Sequence, residues 1–166
     1  MLVRPFTAAD LPAYRSAGLT ALQAHPDAYS SSWEEEREYG DEIFMGCILP
    51  RPPNAALGAF LDSELCGMGA LIIPPQLKTR HVGSIVSIYV APGFRGAGTG
   101  RAVMLALLEA ARAAGLLVVH LTVSVGNDKA RRLYADLGFR SHGIARRALR
   151  IGDQFVDHEF MSLDLD

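Results

Sequence analysis

Residues 89–104 read YVAPGFRGAGTGRAVM, and the reading of this stretch decides the fold. Gly93, Gly96, Gly98 and Gly100 fall within eight residues, with Arg95 among them and Arg101 directly after. Just ahead, Ser84–Val90 (SIVSIYV) is rich in β-branched residues and apolar enough to predict a strand buried on both faces. Behind it, residues 99–114 are apolar almost all round, and Arg101, Glu109 and Arg112 mark a narrow polar stripe. That pattern predicts a mostly buried helix, stopped by Gly115. The first N–H groups of a helix lack internal partners, and the macrodipole favours negative charge beside them. A strand that passes through a glycine loop into a helix therefore presents donors to an anion, and the glycines allow close approach.

The same alternation extends outward. Leu2–Pro5 reads as a short strand and Asp10–Ala24 as a helix. Ser32 with Glu35 three residues on forms a capping box, which predicts a helix over 33–44. Ala55–Leu61 and Leu65–Ile73 flank Asp62-Ser63-Glu64 as a hairpin. Leu116–Val123 reads as a second buried strand, and Asn127 caps a helix whose Ala130, Leu133, Tyr134 and Leu137 share one face. Strands over about 140–149 and 154–164 surround the Gly152-Asp153 turn. Strand–loop–helix–strand–helix between hairpin-like pairs implies an α/β fold in one domain, 1–166, with a mixed sheet and a parallel pair at its middle.

Which anion the loop holds is narrowed by what fails. Gly93 and Gly98 have Walker spacing, but Thr99 stands where that loop needs lysine. Gly96, Gly98 and Gly100 give G-x-G-x-G, with Arg101 where a dinucleotide fingerprint needs its third glycine. What remains is Arg-x-x-Gly-x-Gly (Arg95, Gly98, Gly100) after Tyr-Val-x-Pro. Residues 88–103 resemble the acyl-CoA pyrophosphate loop of the GCN5-related N-acetyltransferases. Asn127-x-x-Ala130-x-x-x-Tyr134-x-x-x-Gly138-Phe139 resembles the second motif of that family, in the same order and spacing.

The resemblance implies a GNAT-like sheet of about seven strands, mostly antiparallel with a splayed parallel pair at the centre and helices on both faces. It implies acetyl-CoA as co-substrate, with its pyrophosphate on the backbone of Arg95, Gly96, Ala97, Gly98, Thr99 and Gly100, and Arg101 adjacent. The Thr99 hydroxyl is a further donor. Ile88, Tyr89 and Val90 would pair with the pantetheine arm as an added strand. Backbone N–H at Val90 suits the oxyanion, Tyr134 matches the general acid, and Asn127 would tie the arm to the next helix. On periodicity alone Tyr134 also reads as a core aromatic, Asn127 as a plain cap, and Lys129, Arg131 and Arg132 as a solvated face, whereas the resemblance also allows these three basic residues to meet the 3′-phosphate of CoA.

The general base is not identified. The strand before the loop carries no carboxylate, so the candidates are Ser84 or Ser87 through a water, His81, His120 and Glu159. The implied reaction is acetyl transfer to a primary amine by direct attack, with a small-molecule acceptor expected. The alternatives are a protein N-terminus or lysine, a non-catalytic acyl-CoA sensor, and a nucleotide-binding module. Residues 1–50 carry three basic and eight acidic residues, whereas 120–150 carry seven basic and two acidic. Both are read as solvated faces, or as marks of a cationic acceptor and an anionic donor. The 25–36 segment (HPDAYSSSWEEE) resembles a subgroup of the same family, and that resemblance implies that it lies over the acceptor site.

Composition excludes other classes. A net charge of −2 disfavours nucleic acid, no apolar run approaches the roughly 18–20 residues of a membrane span, and the first residues show no export signal. Cys47 and Cys66 make no disulfide framework, and a cytoplasmic monomer or homodimer with reduced thiols is expected. No metal is expected, because the histidines lack ligand spacing and His158-Glu159 sits in a strand-like run.

Overall fold

The computed structural model describes residues 1–166. Strand β1 (Leu2–Pro5) leads into helices α1 (Leu11–Ala24), α2 (Trp33–Glu36) and α3 (Asp41–Ile48), then the hairpin of β2 (Ala55–Leu61) and β3 (Glu64–Ile72). The centre is β4 (Val82–Val90), α4 (Thr99–Ala113), β5 (Val118–Ser124) and α5 (Asp128–Asp136), and the chain closes with β6 (Arg140–Ile151) and β7 (Gln154–Asp164). All seven strands join in one sheet, ordered β1-β2-β3-β4-β5-β7-β6. Only the β4–β5 pair is parallel. The expected mixed sheet with helices on both faces is the one observed. No helix is long and apolar enough to cross a membrane.

Each sheet face carries its own core. On one, Val103, Met104, Leu107 and Ala111 of α4 pack with Leu71, Ile85, Val119 and Leu121, and Tyr134 and Phe139 close the far side. On the other, Phe6, Ala21, Ile48, Phe60, Met68 and Tyr89 pack beneath α1 and α3. Two glycines of β3 let α4 approach. A Cβ on Gly69 would run into Ile88, Leu107 and Val103, and one on Gly67 would meet the Thr99 methyl at 2.9 Å. The α4 stripe of Arg101, Glu109 and Arg112 is exposed as expected, with Leu105 on the same stripe.

Three expectations need correction. The helix expected over 33–44 is two: Ser32 caps α2 through Glu35, but the chain turns at 37–40 and restarts with extended Gly40 as the N-cap of α3. Strand β5 is buried on one face only. Val119, Leu121 and Val123 point to the core, whereas His120 and Thr122 are exposed, because α1 and α3 do not reach that far across the sheet. Val86 of β4 is likewise 40% exposed.

The central pair opens for a reason visible in β4. It pairs with β5 only from Val82 to Ser84, against Val118 to His120. Against β3, Met68 faces Tyr89 and Ala70 faces Val86, so β4 carries one extra residue. Ser87 sits at this bulge with φ 57°. A left-handed non-glycine residue costs about 1–2 kcal/mol. The bulge re-aims the end of the strand, so that Ile88 joins the α4-side core and Tyr89 the opposite one.

Candidate active site

The loop after β4 ends in a row of unused donors. Gly96 and Gly98 take φ 79° and 84°, and Gly98 is the N-cap of α4 without a side-chain cap. The Arg95 N–H, expected in this row, instead donates to the Pro92 carbonyl at 3.4 Å, whereas the backbone N–H groups from Gly96 to Arg101 have no partner within the chain, and residues 95–98 are exposed. A Cβ at Gly96 or Gly98 would meet nothing within 4 Å, so these glycines serve conformation and leave the approach open. Gly100 differs, since a Cβ there would press on Leu133 of α5 at 3.3 Å and Val90 at 3.4 Å. Successive donors at a helix N-terminus form an anion cradle. The Thr99 hydroxyl is not part of it. It turns inward and donates to the Phe94 carbonyl at 3.1 Å, so Thr99 offers only its backbone N–H.

The exposed edge of β4 adjoins that cradle. Ala91 N–H donates to Cys66 O on β3, so strand alternation turns the Val90 N–H and C=O the other way, into the gap beside β5. The Val90 carbonyl there accepts from Arg95 Nε at 3.0 Å. The Ile88 carbonyl faces the same gap and accepts from the Tyr29 hydroxyl at 3.0 Å. Tyr89 does not take part as expected: its backbone pairs with Met68 and its ring lies in the core beneath α1. The gap thus has outward-facing backbone groups along one wall, unused by β5 and with the two carbonyls held by side chains, where a peptide-like strand can be added.

Tyr134 of α5 borders the gap. Its ring is 6% exposed and packs on Phe139, with centroids 6.1 Å apart. Burial pushes the pKa of its hydroxyl up to about 12. Asn127 caps α5 through Oδ1, accepting from Ala130 N–H at 3.3 Å. The basic residues beside it divide. Arg131 pairs with Glu159 at 2.8 Å, whereas Lys129 and Arg132 are exposed.

The base candidates fall largely outside the gap. His81 opens onto solvent just before β4, at the closed end of the pair. Ser84 and His120 face each other at that closed end. Glu159 is buried, and the Ser141 hydroxyl and Arg131 guanidinium hold its carboxyl below the usual range, which makes it a poor base. Of that set only Ser87, at the bulge, adjoins the gap.

No chemical motif marks the residues that do gather at the gap. The 3-10 turn Pro26–Ala28 crosses it. Its Asp27 carbonyl accepts from Ser124 Oγ of β5 at 2.6 Å and from His158 Nε2 of β7 at 3.1 Å. Accepting by a carbonyl fixes the proton of His158 on Nε2. His25 Nε2 lies 2.9 Å from Arg95 Nη2. Tyr29 comes directly after the turn, and burial first, then the neighbouring phenols Tyr134 and Tyr89, drive its pKa upward. Only the resemblance of 25–36 to an acceptor-site segment pointed here. Beyond Tyr29 a cleft of about 650 Å³ runs between this segment and the β6–β7 tip, with Trp33, Glu34, Leu149, Arg150 and Ile151 in its walls.

Known proteins share this fold. The acetyltransferase (GNAT) family profile matches residues 19–139. The chain is 33% identical over 82% of its length to 42% of the mycothiol acetyltransferase of Nocardiopsis dassonvillei. It is 40% identical over 62% of its length to 63% of the N-alpha-acetyltransferase RimI of Mycobacterium tuberculosis. It thus spans less than two thirds of these relatives. The structure of yncA from Salmonella typhimurium, solved with its cofactor acetyl-CoA, superposes with a TM-score of 0.88 over 100% of this chain and 94% of that one, at 22% identity.

Proposed function

Because the chain belongs to the acetyltransferase (GNAT) family, we propose that it transfers the acetyl group of acetyl-CoA to a primary amine of a small molecule, by direct attack within a ternary complex. The observation that carries the reading is the row of unpartnered N–H groups at Gly96–Arg101, set where β4 leaves β5. These donors fit a diphosphate, and the outward groups of Ile88 and Val90 fit the amides of a pantetheine arm.

The chemistry rests on this chain's own groups. The amine must be neutral, so its nitrogen lone pair attacks the thioester carbon. The new C–N bond forms as the C–S bond breaks, the amine's surplus proton passes to solvent, and the sulfur departs as a thiolate. The Val90 N–H points into the gap and suits the negative charge that develops on the carbonyl oxygen. Tyr134 serves the leaving sulfur. Burial raises the phenol further above a thiol, which titrates at about 8.5, so Tyr134 acts chiefly as a hydrogen-bond donor to the developing thiolate.

Two features favour a small acceptor. The cleft volume of about 650 Å³ is in the range of small-ligand sites. Glu34 in its wall is free for a cationic amine, since Glu35 is committed to the Ser32 cap. The name of the mycothiol enzyme agrees with a small substrate. The similarity to RimI supports the second reading, a protein N-terminus as acceptor. Thiol release from acetyl-CoA with a panel of small amines and N-terminal peptides tests both. Release with amines supports the proposal, release with peptides alone supports the second reading, and binding without release marks a sensor.

A further inference from the structure

The turn that crosses the gap does more than decorate the acceptor side. Where β4 and β5 no longer pair, Pro26–Ala28 and Tyr29 hold the two walls at a fixed separation: Tyr29 bonds to Ile88 of β4, and the Asp27 carbonyl bonds to Ser124 of β5 and His158 of β7. Together these hydrogen bonds make the turn part of the sheet rather than a loose flap. Tyr29 is the member that enters the gap. Its hydroxyl ends on the Ile88 carbonyl, next to Tyr134 and Tyr89, and its ring packs on the α1-side core. Its other side forms a wall of the cleft.

We propose that Tyr29 sets the length of acyl chain the site accepts, its ring closing the gap beside Ile88 against donors longer than acetyl. The inference rests on the acyl-CoA reading above. An arm leaving the Gly96–Arg101 donors and running back along Val90 brings the thioester to the level of Ile88, where the next group is Tyr29. A methyl fits short of the ring. Further methylenes meet it, and it cannot swing aside without breaking the bond to Ile88 and leaving the core. Removing the ring joins the gap to the cleft, so a longer chain gains space in the direction from which an amine would come.

The test measures donor binding by calorimetry, which needs no acceptor. CoA, acetyl-CoA, butyryl-CoA and hexanoyl-CoA are titrated into the wild type, Tyr29→Phe, Tyr29→Leu and Tyr29→Ala. The wild type is expected to bind hexanoyl-CoA at least ten-fold more weakly than acetyl-CoA. Tyr29→Phe keeps the ring and keeps that ratio, Tyr29→Leu reduces it, and Tyr29→Ala brings it to about one. Should Tyr29→Ala fail to fold, the leucine variant carries the same comparison. A wild type that binds all acyl chains alike, or a leucine or alanine variant that retains the acetyl preference, overturns the proposal. CoA itself reports on the loop alone, so a wild type that does not bind CoA overturns the acyl-CoA reading and this proposal with it. An acetyl preference without amine acetylation overturns only the transferase reading.

Discussion

Placing a carboxylate at Gly98 gives the sharpest test of the anion cradle. Gly98 is left-handed at φ 84° and ψ 1°, and a Cβ there meets nothing within 4 Å. Asp and Asn have the same shape and both tolerate this conformation better than most residues. Gly98→Asn thus carries the backbone cost, about 1 kcal/mol of stability, without the charge. Gly98→Asp adds one negative charge. A phosphate oxygen about 3 Å from these N–H groups would lie about 5 Å from that carboxylate. At an effective dielectric of about 20 the repulsion is about 3 kcal/mol per charge pair. Exposure of the loop and salt screening offset much of the second phosphate's share, which leaves about 2–4 kcal/mol in all. CoA should therefore bind Gly98→Asp about 30- to 1,000-fold more weakly than Gly98→Asn, by calorimetry at low salt. The gap should narrow as salt rises. Equal affinities for the two variants would mean that the diphosphate lies elsewhere, and the placement of the donor would fall with it.

Two other perturbations test different groups. Tyr134→Phe should lower kcat by about 100-fold while CoA affinity and Tm stay close to wild type, because the ring remains in the core and only the hydrogen-bond donor to the developing thiolate is lost; an unchanged kcat removes Tyr134 from the chemistry. Acid titration tests the carboxylates. Arg4 holds Asp10 well below the usual range through hydrogen bonds of 2.8 and 2.9 Å, and Ser141 and Arg131 hold Glu159 down. Folded pKa values below the unfolded ones make the native state bind fewer protons, so this stabilisation is complete above about pH 4.3 and is lost as pH falls toward the folded values. Asp10→Asn should therefore lower Tm at neutral pH, and its deficit should shrink on acidification; parallel Tm curves for the two proteins would contradict the assignment.

The parts of the site built from consecutive residues were legible. Gly96, Gly98 and the start of α4 form a local structure whose backbone needs are written in residue type, and Asn127 caps α5 by the same local rule. Tyr134 was legible because helical spacing puts it on the buried face with Ala130 and Leu133. What escaped was set by tertiary contact. Nothing in SIVSIYV marks Ser87 as the residue forced to positive φ, since serine is ordinary in a strand and the bulge exists only relative to β3. Val86 looked buried because its residue type is, yet its cover depends on how far α1 and α3 extend. His25, Asp27 and Tyr29 lie more than fifty residues from the partners they meet, and the Asp27 carbonyl, which accepts twice, is a backbone atom that any residue would supply.

Local loop and tertiary bulge depend on each other mechanically. A parallel pair that stayed zipped would spend the outward groups of Ile88 and Val90 on β5, and the donors at Gly96–Arg101 would face an anion with no room for the chain attached to it. The ladder ends after Ser84 and His120, and the extra residue at Ser87, three positions on, keeps the end of β4 turned out of register with it at a local cost of about 1–2 kcal/mol. An open gap in a sheet leaves polar backbone exposed and its walls free to move. Side chains answer that need here, with Tyr29 on Ile88, Arg95 on Val90, and Ser124 and His158 on Asp27. The Arg95 bond has a consequence for binding. A pantetheine amide that takes the Val90 carbonyl must displace Arg95 Nε, and the displaced guanidinium stays beside the phosphate cradle to which its own residue leads. The group that protects the unpaired edge of β4 is thereby released where negative charge arrives.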